Sequence, residues 1–192
     1  MQRILMIVLI FSGHFTFAQP IINEYTCYRK EIDNNGFHKD IKLGSPVTIF
    51  HEDSLSPEQG CEIPFGNNSR VKCYTLLSYS EDKYKVAEDF PYKIGLYFFN
   101  DSLIMLEMEF QGIGPVYNYA TFYNAEDCIE KRTDYNEKIV EAAFSIQGNQ
   151  IYLNTYFKKL GINDNTGFTT VQLFNKNILK RISELGRKTG DY

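Results

Sequence analysis

No tryptophan occurs among the 192 residues, so any interior must be lined by the 14 Tyr and 15 Phe. No unbroken run of three or more basic residues occurs either. The formal charge is −4, and a mildly acidic chain matches neither nucleic acid nor an anionic membrane surface. Catalytic signatures are scarce: there is no H-E-x-x-H and no G-x-S-x-G elbow. Gly112-Ile113-Gly114-Pro115 lacks the strand-turn-helix context and the lysine of a phosphate cradle, and reads as a bend. No C-x-x-C spacing or adjacent His pair offers a zinc site. His51-Glu52-Asp53 ends a strand-like run, where only His51 and Asp53 point the same way, one ligand short of a transition-metal site. The expectation is no metal, no cofactor and no enzymatic activity.

Long apolar runs are absent too. The run Ile4 to Phe11 falls well below the ~18 residues that a bilayer-crossing helix requires. It follows Arg3 and precedes Thr16 and Ala18, which gives the basic, apolar and small-residue parts of a secretory signal peptide. Cleavage is expected at Ala18|Gln19, making 1–18 the signal and 19–192 a single β domain with no membrane span. Removing 18 of 192 residues leaves 174, within the ~100–200 of one domain. The expected location is secreted or periplasmic.

Export bears on the four cysteines, Cys27, Cys61, Cys73 and Cys128. In an oxidising compartment an even count reads as disulfides. Cys61 and Cys73 are the close pair, around "CEIPFGNNSRVKC", and Cys27 with Cys128 remain for the second bridge.

What is present is strand patterning broken by Asn-rich bends. In "LYFFNDSLIML" the apolar alternation Tyr92, Ile94, Leu96, Phe98 resumes as Ile104, Leu106, Met108, Phe110. The two sets share a face only across an odd loop, so Asn100-Asp101-Ser102 is predicted as a three-residue turn. It pairs Phe98 with Ile104, Leu96 with Leu106 and Ile94 with Met108. Glu107 and Glu109 then lie opposite the core, facing solvent. In "VEAAFSIQGNQIYLNTYF", Val140, Ala142, Phe144 and Ile146 match Ile151, Leu153 and Phe157 across an even loop at Gly148-Asn149. Asn35-Gly36 marks a further hairpin with Ile32, Phe37, Ile41 and Leu43 on one face. Asn175-Lys176-Asn177 repeats the three-residue pattern, pairing Phe174 with Ile178. Ile178, Leu179, Ile182 and Leu185 also suit a helix, but Lys180 and Arg181 near its positive end favour a strand to about Ile182.

Further strand-like runs lie at 46–51, 70–79 and 117–123, with a long loop at 52–69. The one predicted helix is 124–133, N-capped by Asn124. About ten short strands and at most one short helix make an all-β fold. The expected form is an antiparallel up-and-down β-barrel, with a β-sandwich as the alternative, since both remove exposed edges. "AAFSIQGNQIYLN" followed by "GFTTVQLFNKNILKRI" resembles the closing hairpins of small secreted lipocalin-like domains, whose final strand ends in a basic residue, here Arg181. The Gly-x-Trp of lipocalin first strands is missing, so the resemblance assigns no functional residue.

The aromatics are the feature above background. Tyr117, Tyr119 and Tyr123 share one face of their predicted strand, and Tyr97 with Phe99 occupy the non-core side of theirs. Tyr buries a ring while its hydroxyl keeps a partner, which suits a ligand wall or a protein interface. The reading is a non-catalytic barrel that binds a small apolar or aromatic ligand; the alternative is an envelope structural or protein-interaction module.

Overall fold

The structure is a computed structural model and describes residues 26–33, 42–50, 55–57, 70–77, 84–85, 87–160 and 166–189. Its strands are β1 (Cys27–Tyr28), β2 (Leu55–Pro57), β3 (Val71–Leu76), β4 (Pro91–Phe99), β5 (Ser102–Gln111), β6 (Glu130–Thr133), β7 (Ile139–Gln147), β8 (Ile151–Lys159) and β9 (Gly167–Asn175). Among the described residues two α-helices accompany them, α1 (Gly114–Phe122) and α2 (Lys176–Thr189). The expected signal segment 1–18, Cys61, His38, His51 and the expected turn at Asn35-Gly36 lie outside the described residues.

All nine strands join one sheet in the order β1-β7-β8-β9-β5-β4-β3-β2, with β6 also paired to β7. Only β1–β7 is parallel, so the fold is all-β and antiparallel in substance. Two meanders, β2 to β5 and β7 to β9, meet along β5 and β9. Among the described residues β2 does not pair with β1 or β6, so the sheet is not a closed barrel. The small edge strands carry Pro57 on one side and the exposed Glu130-Lys131-Arg132-Thr133 on the other. Proline and charge on an edge discourage pairing with another chain.

The central hairpin keeps the expected face by a different device. Asn100 and Asp101 form a two-residue turn, with φ of 49° and 61°. Phe98 therefore pairs with Leu103 rather than Ile104, and Ile104 is the extra residue of a bulge. Beyond it Leu96 faces Leu106 and Ile94 faces Met108, as the pattern required. A second irregularity between Pro91 and Lys93 removes Tyr92 from the buried set and leaves it 51 % exposed.

At the β7–β8 turn the even loop is present but sits one residue later, pairing Ile146 with Leu153. The Asp33 carboxylate accepts the N–H groups of Asn149, Gln150 and Ile151 at 2.6, 3.0 and 3.1 Å. Gly148 has no alternative there: a Cβ would stand 2.5 Å from Asp33 Oδ1. Residues Lys30–Asp33 form a 3-10 turn rather than a hairpin arm, which aims Asp33 at this loop. The expected strand at 46–51 is likewise a 3-10 turn over Val47–Ile49.

The helices fall where strands were expected. Residues 117–122 are helical, with Tyr123 as the C-cap, because Gly-Pro opens the segment and Asn124 closes it. Pro115 occupies the first turn, where a missing N–H costs nothing. Asn124, at φ 51°, is the left-handed residue after the helix rather than an N-cap. Its N–H donates to the Thr121 carbonyl and that of Ala125 to Ala120, which satisfies the terminal carbonyls. The predicted helix at 124–133 is instead a 3-10 turn followed by β6. Gly112 to Pro115 is thus a true strand-turn-helix junction.

At the other end Asn175 Oδ1 accepts the N–H groups of Asn177 and Ile178, each at 3.1 Å, and caps α2. That cap, with Ile178 and Ile182 one turn apart, outweighs the unfavourable placement of Lys180 and Arg181. The third hairpin is therefore absent, and Arg181 lies in a helix rather than at a strand end.

The first face of the sheet carries Ile94, Leu96, Phe98, Leu106, Met108, Phe110, Phe144, Leu153, Val171 and Leu173, sealed by Val116, Tyr119 and Ala120 of α1 and by its C-cap Tyr123. The second face carries a smaller cluster of Cys73, Tyr97, Phe99, Met105, Tyr152 and Phe174, closed by Ile178 and Ile182 of α2.

Candidate functional site

The residues expected to form a ligand wall occupy three separate environments. Tyr97 and Phe99 are buried on the second face under α2. Tyr119 on α1 and Tyr123, the residue that caps it one turn later, are buried in the first core, where Tyr119 packs edge-on against Phe110 at 6.2 Å. Burial pushes the Tyr123 phenol upward; Tyr119 is raised by burial first, then by neighbouring Tyr123 and Asp89. Tyr117 is half-buried and carries the Lys131 ammonium 4.9 Å above its ring. No single wall contains all five.

Cys27 and Cys128 are disulfide-bonded across 101 residues. Cys73 is also disulfide-bonded, and Cys61, its expected partner, lies outside the described residues. Cys27, Asp127 and Cys128 place ligand-type atoms within 4.8 Å of one another, but two of these are the sulfurs of the disulfide. One carboxylate holds no metal. It is already paired with Arg29 at 2.7 Å.

Glu107 is not solvent-facing. It is 6 % exposed and accepts a hydrogen bond from Gln172 Nε2 at 2.7 Å. Beside it Tyr97 leans over Gly95, its ring 3.4 Å from where a Cβ would stand. Farther along the same face, away from α2, the side chains emerge. Tyr92, Phe168 and Tyr156 are 51, 40 and 39 % exposed, on β4, β9 and β8. The Tyr92 and Phe168 rings meet edge-on at 5.6 Å. Register sets Thr170 between Glu109 and Tyr156, so Phe168 is the diagonal neighbour of Tyr156.

Both tyrosines are tied down by acids. Tyr92 Oη donates to Glu109 Oε2 at 2.7 Å, and Lys93 Nζ stands 3.5 Å from Glu109 Oε1. Partial burial, then the bond to Glu109 and its charge, raises the Tyr92 phenol above the ordinary range. Tyr156 is raised by burial, by the charge of Glu141 and by a hydrogen bond to it, against an opposing effect of Arg132. Arg132 pairs with Glu141 at 3.1 Å. The result is an aromatic row across three strands whose hydroxyls are committed and whose rings are held outward.

Sequence reasoning assigned Tyr92 to the core because alternation cannot register a bulge. Tyr156 and Phe168 carried a usable signal, as aromatics on the polar phase of their strands. Comparison of the chain with protein-family profiles, with curated proteins and with solved structures finds no match.

Proposed function

We propose that the protein is an exported, non-catalytic interaction module that binds at the cell envelope through the open half of its second sheet face. The observation that carries this reading is the row Tyr92, Phe168 and Tyr156, large rings left exposed on an otherwise well-packed sheet. Exposed contiguous aromatics on a rigid element mark interaction surfaces, and anchoring by carboxylates reduces the entropy lost on binding. The disulfide between Cys27 and Cys128 is consistent with export.

The test is site-specific photo-crosslinking in exporting cells, with the photoreactive residue at Phe168 or, as a control, at Tyr135, which is 86 % exposed elsewhere. Adducts at 168 and none at 135 are expected. Absence of any protein or lipid adduct at 168 contradicts the reading. A ligand held inside the fold, as a lipocalin-like domain would hold it, is the second reading. Tyr123 Oη and Thr155 Oγ1 favour it, because both are buried and lack a hydrogen-bond partner among the described residues. A buried hydroxyl without a partner costs ~1–3 kcal/mol, which a polar ligand atom would recover. Native mass spectrometry of the exported protein distinguishes the two: a retained small molecule supports the interior site, and bare protein mass removes it.

A further inference from the structure

We propose that the partner of this face is the surface of an anionic lipid bilayer, approached peripherally; this rests on the reading above. The decisive feature is a charge asymmetry hidden by the whole-chain total. Residues 176–189 hold Lys176, Lys180, Arg181, Arg187 and Lys188 against the single acid Glu184, a net +4 in a chain of −4, which leaves −8 for everything else. The helix docks by Ile178 and Ile182 on the second face, while Lys180 and Arg181 are exposed and make no ion pair with a described residue. Lys180 and Arg181 thus stand on a helix about 20 Å long that packs on the same side of the sheet as the exposed aromatic row, while Lys176 Nζ donates to the Gly148 carbonyl at 2.9 Å.

Lys93, Lys158 and Arg132 also line that face, and Glu109 and Glu141 are each paired with one of these cations. A protein groove would need one acidic counter-surface shaped to both a helix and a flat sheet. A bilayer supplies a continuous negative plane, and tyrosine rings partition to its headgroup level while lysine and arginine extend toward lipid phosphates. No helix among the described residues is long and apolar enough to cross a membrane, and the proposed contact is peripheral.

The experiment is co-sedimentation of the mature, disulfide-intact protein with vesicles of phosphatidylcholine alone or with one quarter phosphatidylglycerol. Binding is expected to the anionic vesicles only, and to weaken steeply with salt. Each cation near such a surface contributes about fivefold, so Lys180→Gln with Arg181→Gln should weaken binding about 25-fold. Both positions are exposed, and an unchanged circular dichroism spectrum checks that the fold is intact. Replacing Tyr92, Phe168 and Tyr156 with Ser should weaken binding at low and high salt alike. No association with anionic vesicles at low salt, or equal binding by the double-Gln variant, overturns the proposal. Protein adducts at position 168 together with no vesicle binding would keep the binding face and remove the membrane as its occupant; loss of both removes the face itself.

Discussion

The two faces of the sheet differ in how they are closed. The first is sealed by α1, whose C-terminal loop is locked twice: by the Cys27–Cys128 disulfide and by Arg29, which donates to the Asn124 carbonyl at 2.9 Å and pairs with Asp127. The second is closed over part of its area by α2, held through Ile178, Ile182 and the Asn175 cap. Beyond that, aromatics stand in solvent. A sheet needs one buried face for stability and can leave part of the other open to contacts. The first face therefore accounts for most of the core, and the open part of the second is the surface proposed for binding.

The sharpest test of this inequality is substitution in the sealed core. Phe110→Ala removes a fully buried ring from beneath Tyr119 and should cost about 3–5 kcal/mol in urea unfolding. Ile182→Ala should cost less, about 2–3 kcal/mol, and loosen α2 in hydrogen exchange while the sheet amides stay protected. Equal costs, or a sheet that opens along with α2, would break the comparison.

Asp33→Asn comes next, at about 1–2 kcal/mol, because it weakens the acceptor for three turn amides. Desolvation works to raise the Asp33 pKa, but the three backbone N–H groups together hold it below the usual 3.8. A depressed folded pKa means stabilisation present above the unfolded value and lost as pH falls through the folded one. The gap between parent and variant in urea midpoint should therefore be full at pH 7 and shrink below about pH 4. The smallest effect is expected on the open half: Tyr156→Ser and Phe168→Ser should each shift stability by no more than ~0.5 kcal/mol in the same assay. A larger loss would mean that those rings hold the fold together.

Much of this division was legible in advance. Alternation over residues 92–110 identified the face shared by Leu96, Leu106, Ile94 and Met108. The Cys27–Cys128 pairing also followed from the cysteine count and the expected compartment. The Asn-rich bends were ambiguous for a physical reason: one short side chain serves a left-handed turn at Asn100, a helix stop at Asn124 and a helix cap at Asn175. Which role is taken depends on what the following residues can bury. Tyr117 to Tyr123 read as a strand because aromatic content dominates local propensity, yet Val116, Tyr119, Ala120 and Tyr123 bury together only as a helix. The exposed row was hidden because it depends on a bulge at Tyr92 and on pairing between strands more than fifty residues apart. Whole-chain charge concealed the basic helix, since an average carries no position.

Hydroxyl-radical footprinting read by mass spectrometry addresses the central claim most directly, because it reports side-chain accessibility one residue at a time. In the free protein Tyr92, Tyr156 and Phe168 should be oxidised readily, as should Tyr135, while Tyr97, Tyr119 and Tyr123 stay protected. With envelope membranes added, the first three should become protected and Tyr135 should not. Protection of the row in the free protein, or its unchanged oxidation with membranes present, would contradict an open second face that serves as the binding surface.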